Sequence, residues 1–298
     1  MIIVADCGTT KCDWAIINDS NAEYITGKGF NPIHENENFI EKCITDTFIN
    51  KIEFSNVKKV FFYGAGCMPG NITLKITKIL SKIFINSEIT INDDLTGAAT
   101  SLFKNDEGIA CILGTGSNVG LYKKNRIISR IPSLGYILGD EGSGACLGKR
   151  LINAIYKNEI SNTYRQMFER ECNVTYNDII MGTYRSESPA TFLAQFVPFI
   201  KEHIDDSIFR NLVFCEFDLF FSRNIIKIDN FKSYNIGFVG SVALYFKDIL
   251  SDVARFYNIY ISNIIQKPIN RLVEFHTETN NNNINDISYD DNSNIILK

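Results

Sequence analysis

A glycine-rich turn near the middle of the chain constrains its structure more than any other feature. The stretch LGTGSN at residues 113–118 follows the apolar residues 109–112 and precedes the largely apolar residues 119–122. This pattern predicts a strand, a tight turn and a second strand. Glycines allow backbone N–H groups to approach an anion closely, and hydroxyl side chains add further donors. The turn is therefore a candidate phosphate-binding loop.

A near copy of this turn lies at the start of the chain. The stretch VADCGTTK at residues 4–11 again ends an apolar strand, and a second strand is predicted at 13–17. Two such hairpins indicate a duplicated structure in which two phosphate-binding loops face each other across a cleft. Asp6 is a candidate Mg²⁺ ligand, because that ion is held by carboxylate and phosphate oxygens. A plain hairpin turn with a solvated lysine is the alternative, since neither GxGxxG nor GxxxxGK[ST] occurs here.

Hydrophobic periodicity predicts alternating strands and helices in the first half. The predicted strands are 2–5, 13–17, 24–30, 57–63 and 88–91, and the predicted helices are 38–52, 73–84 and 95–103. The second half starts again with a strand at 108–113 and its hairpin, continues with a strand at 126–131 and a helical region at 141–221, and ends with a strand at 234–239, a helix at 242–257 and a short strand at 264–266.

These patterns predict two domains and a tail. The first domain comprises residues 1–108, completed by a segment near 262–276, and the second comprises residues 109–261 with a helical insertion. Residues 277–298 are rich in Asn and Asp and poor in large apolar residues, so we expect a disordered tail.

Composition excludes several classes of function. The 298 residues carry a net charge of −4 without a basic block, which argues against nucleic acid as a partner. No signal peptide and no apolar stretch long enough for a bilayer is evident, so we expect no membrane partner and a cytoplasmic protein. Eight cysteines form no CxxC pair and no zinc-like cluster, which favours reduced thiols.

Two adjacent aspartates follow the strand predicted at 88–91 and precede the helix predicted at 95–103. Aspartate is a good helix N-cap, and an aspartate at the carboxyl end of a strand can also serve as a general base. Either Asp93 or Asp94 can take either role, with the other as the cap.

Two further glycine-containing segments are candidates for ligand contact. Glycines 139, 142 and 144 bracket Asp140 and Glu141, and Gly240-Ser241 joins a predicted strand to a predicted helix. Glycine permits close approach of a ligand or of another backbone segment. The alternatives are a glycine-rich connection capped by Asp140 and an ordinary strand–helix turn.

The order of these motifs resembles the acetate and sugar kinase/Hsp70/actin superfamily over residues 2–276. Within it, Gly114–Asn118, Gly139–Ser143 and Gly29–Pro32 resemble the N-acetylglucosamine kinase branch and the BadF/BadG/BcrA/BcrD-type ATPases. The resemblance implies an α/β, two-domain actin-like ATPase (ribonuclease H-like) fold with a cleft between duplicated domains.

The resemblance also implies a role for each motif residue. ATP would contact Asp6, Gly8, Thr9, Thr10, Lys11, Gly114, Thr115, Gly116, Ala194, Gly240 and Ser241. The sugar would contact Asn31, Asp94, Ser117, Asn118, Gly135 and Asp140, with Asp94 as the catalytic base. Asp6 would hold the Mg²⁺ ion.

The implied function is ATP-dependent phosphorylation of an amino sugar, with ATP and Mg²⁺ as cofactors. N-acetylglucosamine is the first expected substrate, with N-acetylmuramic acid or another hexosamine as an alternative. Members of the family are often dimers, so the resemblance also implies a homodimer. A second hypothesis is an ATPase that activates a dehydratase or reductase partner. Such activators hold an iron–sulfur cluster through paired cysteines, and the absence of a CxxC pair in this sequence argues against this hypothesis. A third is a sugar sensor without catalysis, although a pure binder needs no base.

Overall fold

The chain forms two compact units. The computed structural model describes residues 1–18, 21–67, 70–285, 287–289 and 295–297. Unit 1 comprises residues 1–104 and 268–298, and unit 2 comprises residues 105–267. The domain boundaries predicted from the sequence were residues 108 and 261.

Unit 1 is built on a five-stranded mixed sheet. Its strands are β1 (Ile2–Cys7), β2 (Lys11–Asn18), β3 (Asn21–Lys28), β4 (Lys59–Gly64) and β5 (Glu88–Asp93), in the spatial order β3-β2-β1-β4-β5. Strands β1 to β3 form an antiparallel meander, and β4 and β5 run parallel to β1. Helices α1 (Glu37–Phe48), α2 (Asn71–Ile83) and α3 (Asp94–Phe103) follow β3, β4 and β5. The predicted β-β-β-α-β-α-β-α order is confirmed.

One face of this sheet packs against α1 and α2. Side chains alternate along a strand, so Trp14 and its alternate neighbours on β2 point to this face. Helix α1 buries Ile40, Ile44 and Phe48, which recur every four residues and form one apolar stripe. The Trp14 and Phe48 rings meet edge to face with centroids 5.1 Å apart. This core fixes the strands whose ends carry the candidate site.

Unit 2 repeats the sheet topology of unit 1. Its strands are β6 (Gly108–Leu113), β7 (Ser117–Lys123), β8 (Arg126–Ile131), β9 (Asn235–Val239) and β10 (Ile261–Ile265), in the order β10-β9-β6-β7-β8. Again three strands form an antiparallel meander and two run parallel to the first. Its helices are α4 (Gly135–Leu138), α5 (Gly144–Tyr156), α6 (Asn162–Glu171), α7 (Tyr176–Tyr184), α8 (Pro189–Ala194), α9 (Val197–Glu202), α10 (Ser207–Arg223), α11 (Ser241–Tyr245) and α12 (Lys247–Phe256). The duplication that the two hairpins predicted is thus present in both sheets.

The return of the chain to unit 1 differs from the prediction. The last predicted strand, here β10, pairs with β9 and so belongs to the sheet of unit 2. The following helix, α13 (Ile269–Asn285), lies in unit 1, where Leu272 and Val273 share a buried cluster with Val4 of β1. Two short strands, β11 (Ile287–Tyr289) and β12 (Ile295–Leu297), pair antiparallel after it.

Helix α13 also contains the predicted start of the disordered tail at residue 277. The side chain of His276 is buried against Phe61, with ring centroids 3.7 Å apart, and its Nε2 lies 2.9 Å from the Tyr63 hydroxyl. The buried face of the helix therefore extends to His276, directly before the composition change that suggested disorder, and the helix itself continues to Asn285. Among the described residues, no helix has the length and apolarity that a bilayer crossing requires.

Candidate active site

The first glycine-rich loop lies at the tip of the β1–β2 hairpin. The Gly8 N–H donates to the Lys11 carbonyl over 2.9 Å, and Thr9, Thr10 and Lys11 are exposed. The backbone of Gly29 lies directly against this loop. Its N–H donates to the Thr10 carbonyl over 3.1 Å, and a Cβ atom there would lie 2.3 Å from the Lys11 nitrogen. The sequence reading assigned the Gly29 segment to sugar contact and missed this support of the loop.

The carboxyl ends of three parallel strands meet at one edge of the sheet in unit 1. Cys7 at the end of β1 is in register with Gly64 at the end of β4, and Gly64 is in register with Asp93 at the end of β5. The Ala65 N–H donates to the Cys7 carbonyl over 2.8 Å. The first loop, the turn after β4 and the start of α3 therefore lie along one edge, where open α/β sheets bind their ligands.

The structure separates the roles of the two adjacent aspartates. Asp93 is buried and caps α3, because its Oδ1 accepts from the Thr96 N–H at 2.8 Å and from the Thr96 hydroxyl at 2.6 Å. Asp94 is the first residue of α3 and is half-exposed, and its Oδ1 lies 2.9 Å from the Leu95 nitrogen. The reading of Asp94 as the N-cap is therefore wrong.

Asn31 lies near the same edge. Its Oδ1 accepts from the Ile33 N–H over 3.0 Å, and its carbonyl accepts from the His34 and Glu35 N–H groups, so it forms a tight turn after Gly29. A Cβ atom on Gly66, in the turn after β4, would lie 3.6 Å from this Oδ1. Asn31 thus stands beside the turn that follows β4.

The predicted Mg²⁺ ligand has a second carboxylate as its register partner. Asp6 on β1 is half-exposed and pairs with Asp13 on β2. Asp13 is buried and accepts a 2.6 Å hydrogen bond from the Thr26 hydroxyl. In the part of the chain that the structure describes, no group of three or more His, Cys, Asp or Glu side chains could hold a metal ion. One or two carboxylates are the usual protein share for Mg²⁺ bound to phosphates, so Asp6 and Asp13 fit that ion. Sequence reasoning missed Asp13, although a charged residue inside an apolar strand was a signal.

The second glycine-rich loop lies at the tip of the β6–β7 hairpin and is tied to α5. The Gly114 N–H donates to the Gly116 carbonyl over 3.0 Å. The first N–H groups of α5 donate to loop carbonyls, from Gly144 to Gly114 over 2.8 Å and from Ala145 to Thr115 over 3.1 Å. These contacts fix the loop without a side chain.

Asp140 lies beneath this second loop. It is buried, it has a positive φ of 57°, and its Oδ1 accepts from the Ser133 hydroxyl at 3.0 Å. A Cβ on Gly116 would lie 3.0 Å from its Oδ2. Burial raises the pKa of the Asp140 carboxyl, and hydrogen bonds from the Ser117 backbone and the Ser133 side chain lower it in part. The alternative that Asp140 caps the next helix is wrong, because Ser143 caps α5.

The structure brings some predicted sugar-contacting residues of unit 2 together and separates others. Ser117 is joined to Asp140 by a hydrogen bond. Asn118 is the next residue of β7, so its side chain leaves the opposite face of the strand, where its Oδ1 lies 3.0 Å from the Val119 nitrogen. Gly135 begins α4 with a φ of 73°, and no atom lies within 4 Å of a Cβ placed there.

Three residues predicted to contact ATP lie near the second loop. Gly240 has a φ of 126°, and a Cβ there would lie 2.2 Å from the Leu113 carbonyl oxygen, so only glycine fits. Ser241 follows it and begins α11. Ala194 ends α8, and its Cβ would lie 3.0 Å from a Cβ on Gly144.

Helix α10 provides a support that sequence reasoning missed. Glu216 accepts a hydrogen bond from the Gly142 backbone; burial raises the pKa of its carboxyl and that bond lowers it. Glu141 forms an ion pair with Arg223 at 3.0 Å and lies 3.4 Å from the Asn224 amide. No local pattern links residues 141–142 to a helix some eighty residues later, so no signal in the sequence could have found these contacts.

The comparisons with known proteins follow this geometry. No protein-family model and no curated protein matches the chain. A solved structure named "Putative N-acetylglucosamine Kinase" from Porphyromonas gingivalis is 35% identical, with a TM-score of 0.89 over 94% of this chain and 100% of that one. A second protein of that name, from Chromobacterium violaceum, is 15% identical with a TM-score of 0.72 over 92% of this chain and 98% of that one, which shows a shared fold.

The fold and these comparisons together define the class, which is that of ATP-dependent carbohydrate kinases with the actin-like ATPase fold. Within this class, the likeness to the Porphyromonas gingivalis protein covers nearly the whole of both chains. The chain belongs to the N-acetylglucosamine kinase family, and the resemblance seen in its motifs is confirmed.

Proposed function

We propose that this protein transfers the γ-phosphoryl group of ATP to a hydroxyl group of an amino sugar, and that N-acetylglucosamine is the preferred acceptor. The name of the 35% identical relative supports the choice of sugar. The observation that carries the proposed chemistry is that Asp93, and not Asp94, caps α3. Because Asp93 caps α3, the carboxylate of Asp94 is not needed as the cap. Asp94 also lies at the same sheet edge as the first loop.

Both glycine-rich loops would bind the phosphates of ATP. In unit 1, the loop residues Gly8 to Lys11 would supply backbone N–H groups, two threonine hydroxyls and one lysine charge. In unit 2, Gly114 to Gly116 would supply backbone donors, with Gly240, Ser241 and Ala194 bordering the rest of the nucleotide. Asp6, with Asp13 beside it, would hold Mg²⁺, which neutralises charge on the phosphates.

Asp94 would act as the general base. It would accept the proton of the attacking sugar hydroxyl while the oxygen bonds to the γ-phosphorus and the bond to ADP breaks. Such a base contributes about 10²–10⁴ to the rate, and the rest comes from positioning and from donors aimed at the transferring group.

Five further residues would orient the sugar. Asn31 would supply an amide beside the turn that follows β4 in unit 1. In unit 2, Ser117, Asn118, Gly135 and Asp140 would contact the sugar, and the buried Asp140 also supports the loop that binds phosphate. Hydrogen bonds that fix the acceptor hydroxyl make the reaction effectively intramolecular.

A coupled ADP-release assay over a panel of hexoses and hexosamines tests the proposal. N-acetylglucosamine should give the highest kcat/KM, and Asp94→Asn should lose about 10²–10⁴ in kcat while ATP and sugar binding persist. Asp93→Asn is the matched control, because an asparagine caps a helix as well as an aspartate. The proposed chemistry would be refuted if none of the sugars in the panel stimulated ADP release. It would also be refuted if the Asp94→Asn enzyme turned over at the normal rate. Preference for N-acetylmuramic acid would change only the substrate.

A further inference from the structure

The first phosphate loop is bracketed by two cysteines that the proposed reaction does not use. Cys7 is the last residue of β1, and Cys12 is its register partner on β2. Both side chains are buried, with 1% and 0% of their surface exposed. The four residues between them, 8–11, are the loop itself.

The geometry of this pair suits a disulfide bond. The Gly8 N–H donates to the Lys11 carbonyl, so these two residues form a hydrogen-bonded pair of the antiparallel ladder. Because the two kinds of pair alternate, Cys7 and Cys12 form the kind in which the Cα atoms approach to about 4.5 Å. Disulfides span Cα separations of about 4.4–6.8 Å, so no strand has to slide.

A third thiol lies close to this pair. Cys67 is buried, and its Sγ would lie 2.7 Å from a Cβ on Gly64, which is the register partner of Cys7 on β4. Burial raises the pKa of Cys67 to about 12, and Cys7 adds to this shift. Cys67 is therefore the competing partner that any test must separate from Cys12.

We propose that Cys7 and Cys12 form an oxidation site, at which a peroxide joins them in a disulfide bond that disables the first phosphate loop. The inference rests on the proposed role of that loop in ATP binding. Each sulfur loses one electron and one proton, the S–S bond forms as the O–O bond of hydrogen peroxide breaks, and two water molecules leave. A dithiol reductant reverses the reaction.

The disulfide bond would disturb the loop because neighbouring backbone segments pack tightly against the loop. The Gly29 backbone lies directly against Gly8, Thr10 and Lys11, and the Cys7 carbonyl accepts from Ala65. A disulfide would fix the two Cβ atoms at the spacing of about 3.5–4.5 Å that the bond requires, so any adjustment at this rung passes directly into the loop. A displacement of about 1 Å in the loop would cost about 10²-fold in turnover.

Burial also makes the site conditional on the state of the loop. Peroxide reaches these thiols only when the end of the hairpin opens, since neither side chain is exposed. A nucleotide held by the loop would keep the hairpin closed. Oxidation should therefore slow several-fold in the presence of saturating ATP.

The experiment treats the full chain with hydrogen peroxide, with and without ATP, and follows disulfides by peptide mass mapping after alkylation of free thiols. The Cys7–Cys12 link should form, binding of a fluorescent ATP analogue should weaken at least tenfold, and dithiothreitol should restore it. The Cys12→Ala variant should keep its binding of the ATP analogue after peroxide treatment. Cys7→Ala serves as a second variant if Cys12→Ala does not fold. Cys215→Ala, which removes the exposed cysteine, should remain sensitive.

Several results would overturn the inference. These are a Cys7–Cys67 link in place of Cys7–Cys12, free thiols at both positions after Cys215 has oxidised, or a linked protein that still binds the analogue normally. Peptide mapping and analogue binding require no sugar phosphorylation. A failure of the proposed sugar specificity would therefore leave this test intact.

Discussion

Replacing Gly29 by alanine tests whether the position of the first loop controls activity. Gly29 contacts no predicted reacting atom, but its backbone lies against that loop. An added Cβ would lie 2.3 Å from the Lys11 nitrogen, 2.4 Å from the Gly8 oxygen and 2.6 Å from the Thr10 carbonyl carbon. All three are backbone atoms of the loop, so no side chain can rotate away to relieve the overlap.

The size of the effect follows from these distances. Ordinary contact begins near 3.4 Å, so the loop or the Gly29 segment must move by about 1 Å. A displacement of about 1 Å in a phosphate-binding loop costs about 10²-fold in kcat/KM for ATP. Overpacking of this kind also costs about 1–3 kcal/mol of stability, which lowers Tm by roughly 2–10 °C.

Gly27→Ala, two residues earlier and within β3, provides the matched control. Its Cβ would lie 2.1 Å from the Thr47 hydroxyl, which is a side-chain atom on α1 and not part of the loop. Both variants should lower Tm, but only Gly29→Ala should lower kcat/KM for ATP in the coupled assay by about 10²-fold. If Gly29→Ala kept kcat/KM within threefold of the wild type, the loop would tolerate displacement and the reasoning would fail.

Three further predictions concern stability and the second loop. Asp93→Ala should cost about 0.5–2 kcal/mol in urea unfolding through loss of the α3 cap, and Asp93→Asn should not. Gly240→Ala should weaken ATP binding at least tenfold by calorimetry, because its Cβ would lie 2.2 Å from Leu113 O; Gly148→Ala, which clashes with Leu193, is the control. Burial lowers the pKa of His276 to about 4 from 6.5, so the folded state favours the neutral ring. The neutral ring therefore contributes about 3 kcal/mol to the free energy of unfolding, which should be fully present above pH 6.5 and be lost as the pH falls toward 4. His276→Gln should reduce this dependence of the free energy of unfolding on pH.

Local patterns in the sequence were sufficient to predict the elements and the duplication. Apolar periodicity gave the order of strands and helices in unit 1, and the two hairpin turns stood out because glycine and hydroxyl residues interrupt apolar strands. The membership of β10 could not be predicted this way. A strand of five residues carries no mark of which sheet it joins, and pairing with β9 is decided by tertiary packing.

Sequence reasoning named the candidate site residues but could not assign their local structural roles. Asp93 and Asp94 are adjacent residues of the same type, so the sequence does not distinguish them. The position at which the helix begins decides which one caps α3. Asp140 was open to a capping role, and Ser143 takes that role because the helix begins three residues later than Asp140 would require. Glu216 supports Gly142 from a distant helix, a contact that no local spacing encodes.

The two hairpins share a topology but are supported differently, which explains why their resemblance is local. In unit 1, a glycine after the third strand of the meander lies against the loop, whereas in unit 2 the N-terminus of α5 and Gly240 after β9 hold it. In both cases backbone atoms touch backbone atoms, so the contacts are short and stiff and do not depend on side-chain rotamers. Preorganised donors of this kind suit phosphoryl transfer, where positioning and electrostatics supply most of the catalysis. It follows that substitutions at the supporting glycines should impair ATP use as strongly as substitutions at Thr9 or Thr115 inside the loops.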